Sequence, residues 1–221
     1  MRVFSTTVTG EQFLTAFIET IQMVGVSLFF GSLLGIPIGI LLVITRPGGI
    51  LENKAAYTIL NPIINIVRSL PFIILLVAII PLTRAIVHTS IGTAAAIVPL
   101  IIYIAPYIGR LVENSLLEVN PGILEAAESM GSTPFQVIWH FLLPEAFASL
   151  ILSLTTATIG LIGATAMAGT VGGGGVGDLA IVYGYQRFDT VVVVATVIIL
   201  IILVQGIQSL GNTLARKIRR H

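Results

Sequence analysis

Five long apolar runs limit what this chain can fold into. They cover Ile21–Ile44, Tyr57–Pro81, Ile91–Ile108, Ala146–Ala168 and Val191–Leu210. The hydrocarbon core of a bilayer is about 30 Å thick, and a helix needs roughly 20 apolar residues to cross it. Strands of membrane barrels are shorter and alternate in polarity, and none of these runs alternates. We therefore predict an all-α integral membrane protein with five transmembrane helices in a single domain, residues 1–221.

The composition supports the same class. Of the 221 residues, 56% are hydrophobic and only 10% are charged, and the mean hydropathy is +1.04. Soluble domains carry about 25% charged residues, so this chain lacks the polar surface that a soluble fold needs. We expect the lipid bilayer as its surroundings, and the net charge of +1 gives no indication of a nucleic-acid partner. Cysteine is absent, which excludes disulfides and thiolate metal sites.

The distribution of basic residues predicts the orientation. With five spans the two termini lie on opposite sides of the membrane, and the positive-inside rule puts the more basic side in the cytoplasm. A cytoplasmic C-terminus places these basic residues inside: Arg46, Lys54, Arg110, Arg216, Lys217, Arg219 and Arg220. The outside then holds only Arg2, Arg84 and Arg187. We expect the N-terminus outside and a cytoplasmic segment between the third and fourth spans.

That cytoplasmic segment contains the polar stretch "LEAAESMGSTPFQVIWHFLLPEA", Leu124 to Ala146. Asn120 can cap a first short helix and Gly131 is placed to end it. Thr133 then begins "TPFQ", the pattern of a capping box, so a second helix is expected to run toward Pro144 and the fourth span. The alternative is an amphipathic linker that lies on the membrane surface, but the acidic residues of the segment would be repelled by an anionic lipid leaflet. We favour a docking element for a cytoplasmic partner.

The same segment resembles the EAA motif of ABC importer permeases, which reads Glu-Ala-Ala, three residues, Gly, nine residues, Ile, any residue, Leu-Pro. Phe141 stands where Ile is usual, a conservative departure. The resemblance implies a coupling loop at about 113–144 whose helix fits into a groove on an ATPase subunit. The coupling residues that it implies are Glu125, Ala126, Ala127, Met130, Gly131, Leu143 and Pro144.

Three further stretches are similar to the methionine-importer permeases: "RSLPFIILLVAIIP" from Arg68, "IVPLIIYIAPYIGRLVE" from Ile97 and "GATAMAGTVGGGGVGDLA" from Gly163. The resemblance implies a type I ABC importer permease-like bundle in a bacterial cytoplasmic (inner) membrane. It also implies a homodimer, two cytoplasmic ATPase subunits and an extracytoplasmic binding protein. ATP and Mg would be bound by the ATPase, so no cofactor is expected on this chain. The implied substrate is D- and L-methionine.

Alternatives to this interpretation remain open at the level of sequence. Within the importer class, the substrate can be another amino acid or a small solute. A stand-alone secondary carrier would transport without ATP, but it leaves the EAA resemblance unexplained. A membrane enzyme or scaffold would need paired polar residues at one depth, and none is evident in the predicted spans. No Ser/His/Asp grouping or metal-ligand spacing is found, so we expect neither catalytic residues nor a metal site.

Two residues within the spans are candidates for the translocation pathway. The resemblance places Met167 in "TAMAG" where a methionine helps to close the pathway, although ordinary helix packing also explains a methionine there. Arg68 lies well inside the second predicted span, where a charge is costly unless it faces the bundle interior, water or an acidic partner. An ion pair and a pathway role are both compatible with Arg68. The nearby stretch Gly169–Gly177 lacks the Gly-Lys-Ser/Thr of a phosphate loop and predicts a flexible turn or a re-entrant stretch.

Overall fold

The computed structural model describes residues 8–219, apart from the side chain of one glutamate, at position 128. The regular secondary structure of the described part is entirely helical, and it contains no strand. Two π-helical segments, Val137–Leu142 and Leu179–Tyr185, follow α7 and α9 directly. The helices are α1 (Gly10–Thr45), α2 (Lys54–Ser69), α3 (Phe72–Ala78), α4 (Ile80–Val87), α5 (Thr93–Leu117), α6 (Pro121–Ser129), α7 (Pro134–Gln136), α8 (Leu143–Gly169), α9 (Gly175–Asp178) and α10 (Thr190–Ile218).

Four of the predicted spans are continuous helices long and apolar enough to cross a bilayer. They correspond to α1, α5, the 36-residue stretch Pro134–Gly169 and α10. The prediction of an all-α membrane bundle is therefore confirmed, but several boundaries were wrong. The third helix continues through Leu117 instead of ending at Ile108, and the fourth begins at Pro134 instead of Ala146. Hydropathy marks only the apolar part of a helix, and its polar ends extend beyond that part.

The second predicted span is not one straight helix. It divides into α2 and α3, which meet at an angle of 103°. The division falls at Leu70, which is extended with ψ 128° and directly precedes Pro71. A proline disfavours the helical conformation in the residue before it, so α2 ends there. By contrast, α1, α2 and α5 continue through the prolines inside them: Pro37, Pro62, Pro99 and Pro106.

The centre of the bundle is the packing of α1 against α5. Three glycines of α1 at four-residue spacing let the two helices approach closely. A Cβ atom at Gly35 would lie 2.6 Å from the carbonyl oxygen of Ala105, and one at Gly39 would lie 2.5 Å from that of Gly109. Side chains of α5 and α8 complete the core around this contact, including the fully buried Ile104, Ile108, Val112 and Leu161.

The bundle has two distinct ends. At one end, which we call the glycine-loop end, the loop Gly169–Gly177 contacts the first half of α1 and the start of α5: the N–H of Gly92 donates to the carbonyl of Gly172 at 2.8 Å. At the other end, α5 leads into α6, and α7 leads into α8. We call this the α6 end. Because α5 and α8 run from one end to the other, they connect the two ends mechanically.

Candidate functional site

The predicted helix–glycine–helix segment is present at the α6 end. The side-chain oxygen of Asn120 accepts the N–H of Gly122 at 2.9 Å and caps α6. Gly131 adopts a φ of +76°, and the N–H of Ser132 reaches back to the carbonyl of Ala127 at 3.1 Å. This is the Schellman arrangement that ends a helix, in which a glycine takes the left-handed conformation. The predicted cap and the predicted helix end are both confirmed.

The second half of the segment differs from the prediction. The capping box at Thr133 is present, since its N–H donates to the Gln136 side chain at 2.8 Å. The helix that begins there does not stop at Pro144, because it continues without interruption into α8. The N–H of Leu143 donates to the carbonyl of Ile138, five residues earlier, which is the pattern of a π-helix. A proline clashes with the carbonyl four residues before it, and the wider π-helical turn provides room for Pro144.

The exposed residues of this segment form a surface that a partner can contact. Of the predicted coupling residues, Glu125, Ala126, Gly131 and Pro144 are exposed, and Met130 is 67% exposed. Next to them, the exposed rings of Phe135 and Trp139 pack together with their centroids 5.9 Å apart. Adjacent exposed apolar side chains at the end of a bundle are typical of a protein–protein contact.

Two of the predicted coupling residues face the chain itself. Ala127 has an exposed fraction of 0%, so its small side chain packs inside the bundle and leaves no room for another protein. The side chain of Leu143 is half-buried and packs against the main hydrophobic core. Ala127 therefore does not belong to the exposed surface of the segment in the single chain. Its size is explained by the close packing of α6 on its own chain.

Arg68 lies in the last turn of α2, beside the break before α3, and is exposed in the single chain. Its guanidinium carbon lies 5.9 Å from the ring centroid of Tyr107. Within residues 8–219 it forms no ion pair, so the ion-pair interpretation has no support in the described chain. The contact with Tyr107 is a cation–π interaction, which orients the guanidinium without neutralising its charge.

A buried polar network between α2 and α5 was missed in the sequence. Arg110 donates through Nη1 to the carboxylate of Glu113 and through Nη2 to the side-chain oxygens of Asn61 at 2.6 Å and Asn65 at 2.8 Å. The side chains of Arg110 and Glu113 are only 16% and 5% exposed. Arg110, which was counted among the cytoplasmic basic residues, therefore lies inside α5 and is held by these contacts. The expectation that no paired polar residues share one depth is wrong.

The network had recognisable marks in the sequence. Arg110 and Glu113 are three residues apart and Asn61 and Asn65 are four apart, the spacings that bring side chains onto one helical face. Both pairs fall within or directly after an apolar run, where polar residues are rare and usually paired. Only the pairing between α2 and α5, whose residues are 45 to 49 positions apart, could not be predicted from the sequence.

Met167 lies near the end of α8 and is 51% exposed. Small exposed residues precede it along the same face of the helix: Thr156, Gly160 and Gly163. A Cβ atom at either of these glycines would meet nothing within 4 Å. From Thr156 to Gly163 this face of α8 is therefore smooth and unoccupied in the single chain, and Met167 is the long side chain at its end.

At the glycine-loop end, α1 holds the start of α9 by two hydrogen bonds. The carboxylate of Glu19 accepts the N–H of Gly175 at 2.7 Å, and the hydroxyl of Thr20 accepts that of Val176 at 2.9 Å. The Glu19 carboxylate also contributes to raising the pKa of Asp178, after the larger effect of that carboxyl group's own burial. Since these N–H groups are occupied by α1, the loop has no phosphate-binding arrangement. The sequence analysis did not identify Glu19.

The glycines of this loop are required for its fold. Gly172, Gly174 and Gly175 have φ angles between +77° and +80°, which other residues rarely adopt. A Cβ atom at Gly177 would lie 2.4 Å from the backbone of Ala166, so α9 packs directly on the last turns of α8. Among the described residues, no group of three or more His, Asp or Glu side chains can hold a metal ion.

A helical membrane bundle with an EAA-type helix–glycine–helix segment at one end defines a permease of the type I ABC-importer class. The chain belongs to the family of binding-protein-dependent transport system inner membrane components, whose model matches residues 31–220. It is therefore a multi-pass inner-membrane protein and a transport subunit, not an enzyme.

Relatives and solved structures agree with this family. The chain is similar to the probable D-methionine transport system permease protein MetI of Vibrio cholerae serotype O1, with 49% identity over 95% of this chain and 93% of the relative. It is 52% identical to the D-methionine transport system permease protein MetI of Escherichia coli K12 over 68% of this chain and 70% of the relative. A chain of the MetNI methionine ABC transporter, solved in an inward-facing conformation, superposes with a TM-score of 0.94 at 45% identity. That superposition covers 97% of this chain and 99% of the solved one.

Proposed function

We propose that this chain is the membrane subunit of an ATP-driven importer for methionine. The observation that carries the proposal is the EAA-type segment at the α6 end, folded with its glycine-ended helix and its exposed apolar rim. The relatives with methionine in their names and the similarity to the MetNI transporter support methionine as the substrate. ATP and Mg²⁺ are bound on a separate ATPase subunit, and this chain converts the motion of that subunit into opening and closing of a pathway.

The ATPase docks on the exposed part of the coupling segment. Glu125 provides an exposed charge in the middle of α6, and Met130, Phe135 and Trp139 provide apolar contact area. Methionine and aromatic side chains are enriched in the cores of protein interfaces, which supports this assignment. The N-terminus lies outside and the C-terminus in the cytoplasm, as the positive-inside rule expects, so the α6 end faces the ATPase.

Movement of α6 reaches the membrane helices through short links. Two hydrogen bonds join the end of α5 to α8: Ser115 to Ser153 at 2.7 Å and Ser149 to Glu118 at 2.7 Å. Only a few residues separate the end of α5 from α6, so a displaced α6 pulls on both long helices. ATP binding draws two coupling segments together, and the pathway changes from facing the cytoplasm to facing the outside.

Two copies of the chain form the pathway at their interface. The open face of α8 supports this arrangement, because small residues let a second helix approach closely in a membrane. Met167 closes the resting pathway at the dimer axis, where an unbranched thioether can adapt as the gap changes. An extracytoplasmic binding protein delivers methionine to the glycine-loop end, which includes the exposed Tyr185 and Phe188.

Reconstitution tests the proposal. The complex that copurifies with this chain is placed in proteoliposomes with its binding protein, and uptake of labelled L- and D-methionine is measured with and without ATP. We expect uptake only with ATP, ATPase and binding protein present, and competition by methionine above other amino acids. Uptake by the purified chain alone would indicate a secondary carrier. Stronger competition by another solute would replace methionine as the substrate.

Cysteine crosslinking tests the dimer and the gate. The chain has no cysteine, so Met167→Cys introduces the single reactive thiol of each copy. We expect crosslinked dimers in the nucleotide-free complex and fewer crosslinks after trapping with ATP and vanadate. Thiols that never crosslink, with linkers of several lengths, would remove Met167 from the gate.

A further inference from the structure

Arg68 places a guanidinium group at a position within the membrane bundle where a charge is costly. It lies in the last turn of α2, and its guanidinium rests over Tyr107 of α5, away from both ends of that helix. Within residues 8–219, no carboxylate and no hydrogen-bond acceptor contacts it. A guanidinium in lipid is expensive, so an exposed one inside a membrane protein faces water or an anionic ligand.

An aromatic wall lies directly beside this charge. The rings of Tyr107 and Tyr103 are parallel within 8°, with centroids 6.5 Å apart, and Phe72 meets Tyr103 edge-on at 5.3 Å. Both tyrosines are half-buried, so one surface of each remains accessible. Aromatic rings form favourable contacts with thioether sulfur and with other apolar groups. The wall therefore offers apolar contact area next to an unpaired positive charge.

The position of this wall at the break between α2 and α3 is a second, independent indication. Phe72 begins α3, and Arg68 ends α2, so both lie beside the 103° bend. Non-helical backbone at membrane depth persists only where protein or a water-filled cavity surrounds it. Broken helices of this kind form substrate sites near the middle of the bilayer in many transporters.

We propose that Arg68, Tyr103 and Tyr107 form a binding station for the transported amino acid inside the membrane. The guanidinium of Arg68 donates to the substrate α-carboxylate, a pairing that its planar fork of N–H groups favours. The apolar side chain of the substrate lies on the tyrosine wall. The station rests on the proposed function and adds to it a selectivity for amino acids with a free carboxylate and an unbranched apolar side chain.

The test uses the whole complex of permease and ATPase, trapped with ATP and vanadate and without the binding protein. Binding of labelled L-methionine is measured by equilibrium dialysis, with L-methioninamide, which lacks the carboxylate, as competitor. Three variants are compared with the unaltered complex: Arg68→Gln, Arg68→Lys and Arg84→Gln. Arg84 is the matched control, since it is exposed and its side chain, among the described residues, hydrogen-bonds to Ser90 at 3.2 Å. Methionine that binds equally to all complexes belongs to another site.

We expect Arg68→Gln to weaken the binding of L-methionine to the trapped complex by about tenfold to a hundredfold, the range for one charge-assisted hydrogen bond. Arg68→Lys should restore part of the affinity, Arg84→Gln should change it less than about twofold, and methioninamide should compete poorly. In proteoliposomes, Arg68→Gln should lower methionine transported per ATP hydrolysed, while ATP hydrolysis stimulated by the binding protein continues.

Several results would overturn the station. One is unchanged binding and unchanged transport per ATP in an assembled Arg68→Gln complex. Equal competition by methioninamide is another. Loss of assembly in both Arg68→Gln and Arg68→Lys would show that Arg68 serves the structure, for example by pairing with a second copy. If the unaltered complex does not transport methionine at all, the proposed function is wrong. The unaltered complex is therefore measured first, so that this outcome is distinguished from a failure of the binding station alone.

Discussion

Removing the Glu19 carboxylate should loosen the glycine-loop end. Its oxygen accepts the N–H of Gly175 at 2.7 Å, and a hydrogen bond to a charged group is worth about 1.5–3 kcal/mol. Glu19 is half-buried, so screening by solvent brings the value to the low end of that range or just below it. Its repulsion of Asp178 opposes this gain, but burial, not Glu19, is the larger cause of the raised pKa of Asp178. We expect Glu19→Ala to cost this loop about 1–1.5 kcal/mol.

The measurement is hydrogen exchange of the loop in detergent. A loss of about 1.4 kcal/mol increases the open population tenfold, so backbone N–H groups of residues 171–186 should exchange about five to thirteen times faster. Glu19→Gln retains an acceptor without the charge and should show a smaller increase. Glu11→Ala is the matched control, because Glu11 is exposed on the same helix and, among the described residues, accepts no hydrogen bond from α9. Equal exchange in Glu19→Ala and Glu11→Ala would refute the role of Glu19.

Further predictions concern the network, the helix contact, the coupling segment and pH. Glu113→Gln should lower the free energy of unfolding in detergent by about 1.5–3 kcal/mol because it removes the charge paired with Arg110, which keeps its bonds to Asn61 and Asn65, and Asn65→Ala should cost less. Gly39→Ala should cost about 1–3 kcal/mol by overpacking against α5 in the same assay, whereas Gly25→Ala, whose Cβ atom meets nothing within 4 Å, should be neutral or stabilising. Gly131→Val should strain the left-handed turn by about 1–2 kcal/mol and reduce copurification of the ATPase, with the bundle still folded. Asp178 has a raised pKa in the folded chain, so its protonation favours the folded loop. As pH falls from neutrality toward that pKa, exchange of the loop should slow relative to intrinsic rates, and Asp178→Asn should abolish this dependence.

The features that sequence predicted well are local. Apolar runs of about twenty residues identify helices that cross a bilayer, because every backbone polar group must be satisfied within the segment. The turn at Gly131 and the caps at Asn120 and Thr133 depend on residues only two to five positions apart. Such short-range chemistry is readable before any fold is known.

The features that sequence missed depend on distant partners. Glu19 and Gly175 are 156 residues apart in the sequence, and Arg110 and Asn61 are 49 apart. A single amino-acid sequence therefore gives no indication of either pairing. The bend before Pro71 is a different case. The other prolines inside helices interrupt them little, and the sequence contains no feature that distinguishes Pro71 from them. Whether a helix tolerates a proline depends on the neighbours that satisfy its freed carbonyl.

The contrast between α1 and α2 indicates where this bundle can change shape. Both helices pack on α5, but α1 does so through glycines so close that backbone meets backbone, which leaves no room to slide. In α2 only Ile64 is buried, and its described polar contacts with α5 are the bonds from Arg110 to Asn61 and Asn65 and the contact of Arg68 with Tyr107. Hydrogen bonds between side chains can exchange partners at little cost, whereas two helix backbones in close contact cannot move past each other without a clash. On the proposed mechanism, we expect a displaced α6 to move α1 and α5 as one body, and the pathway to change at the contact between α2 and α5, where Arg68 lies.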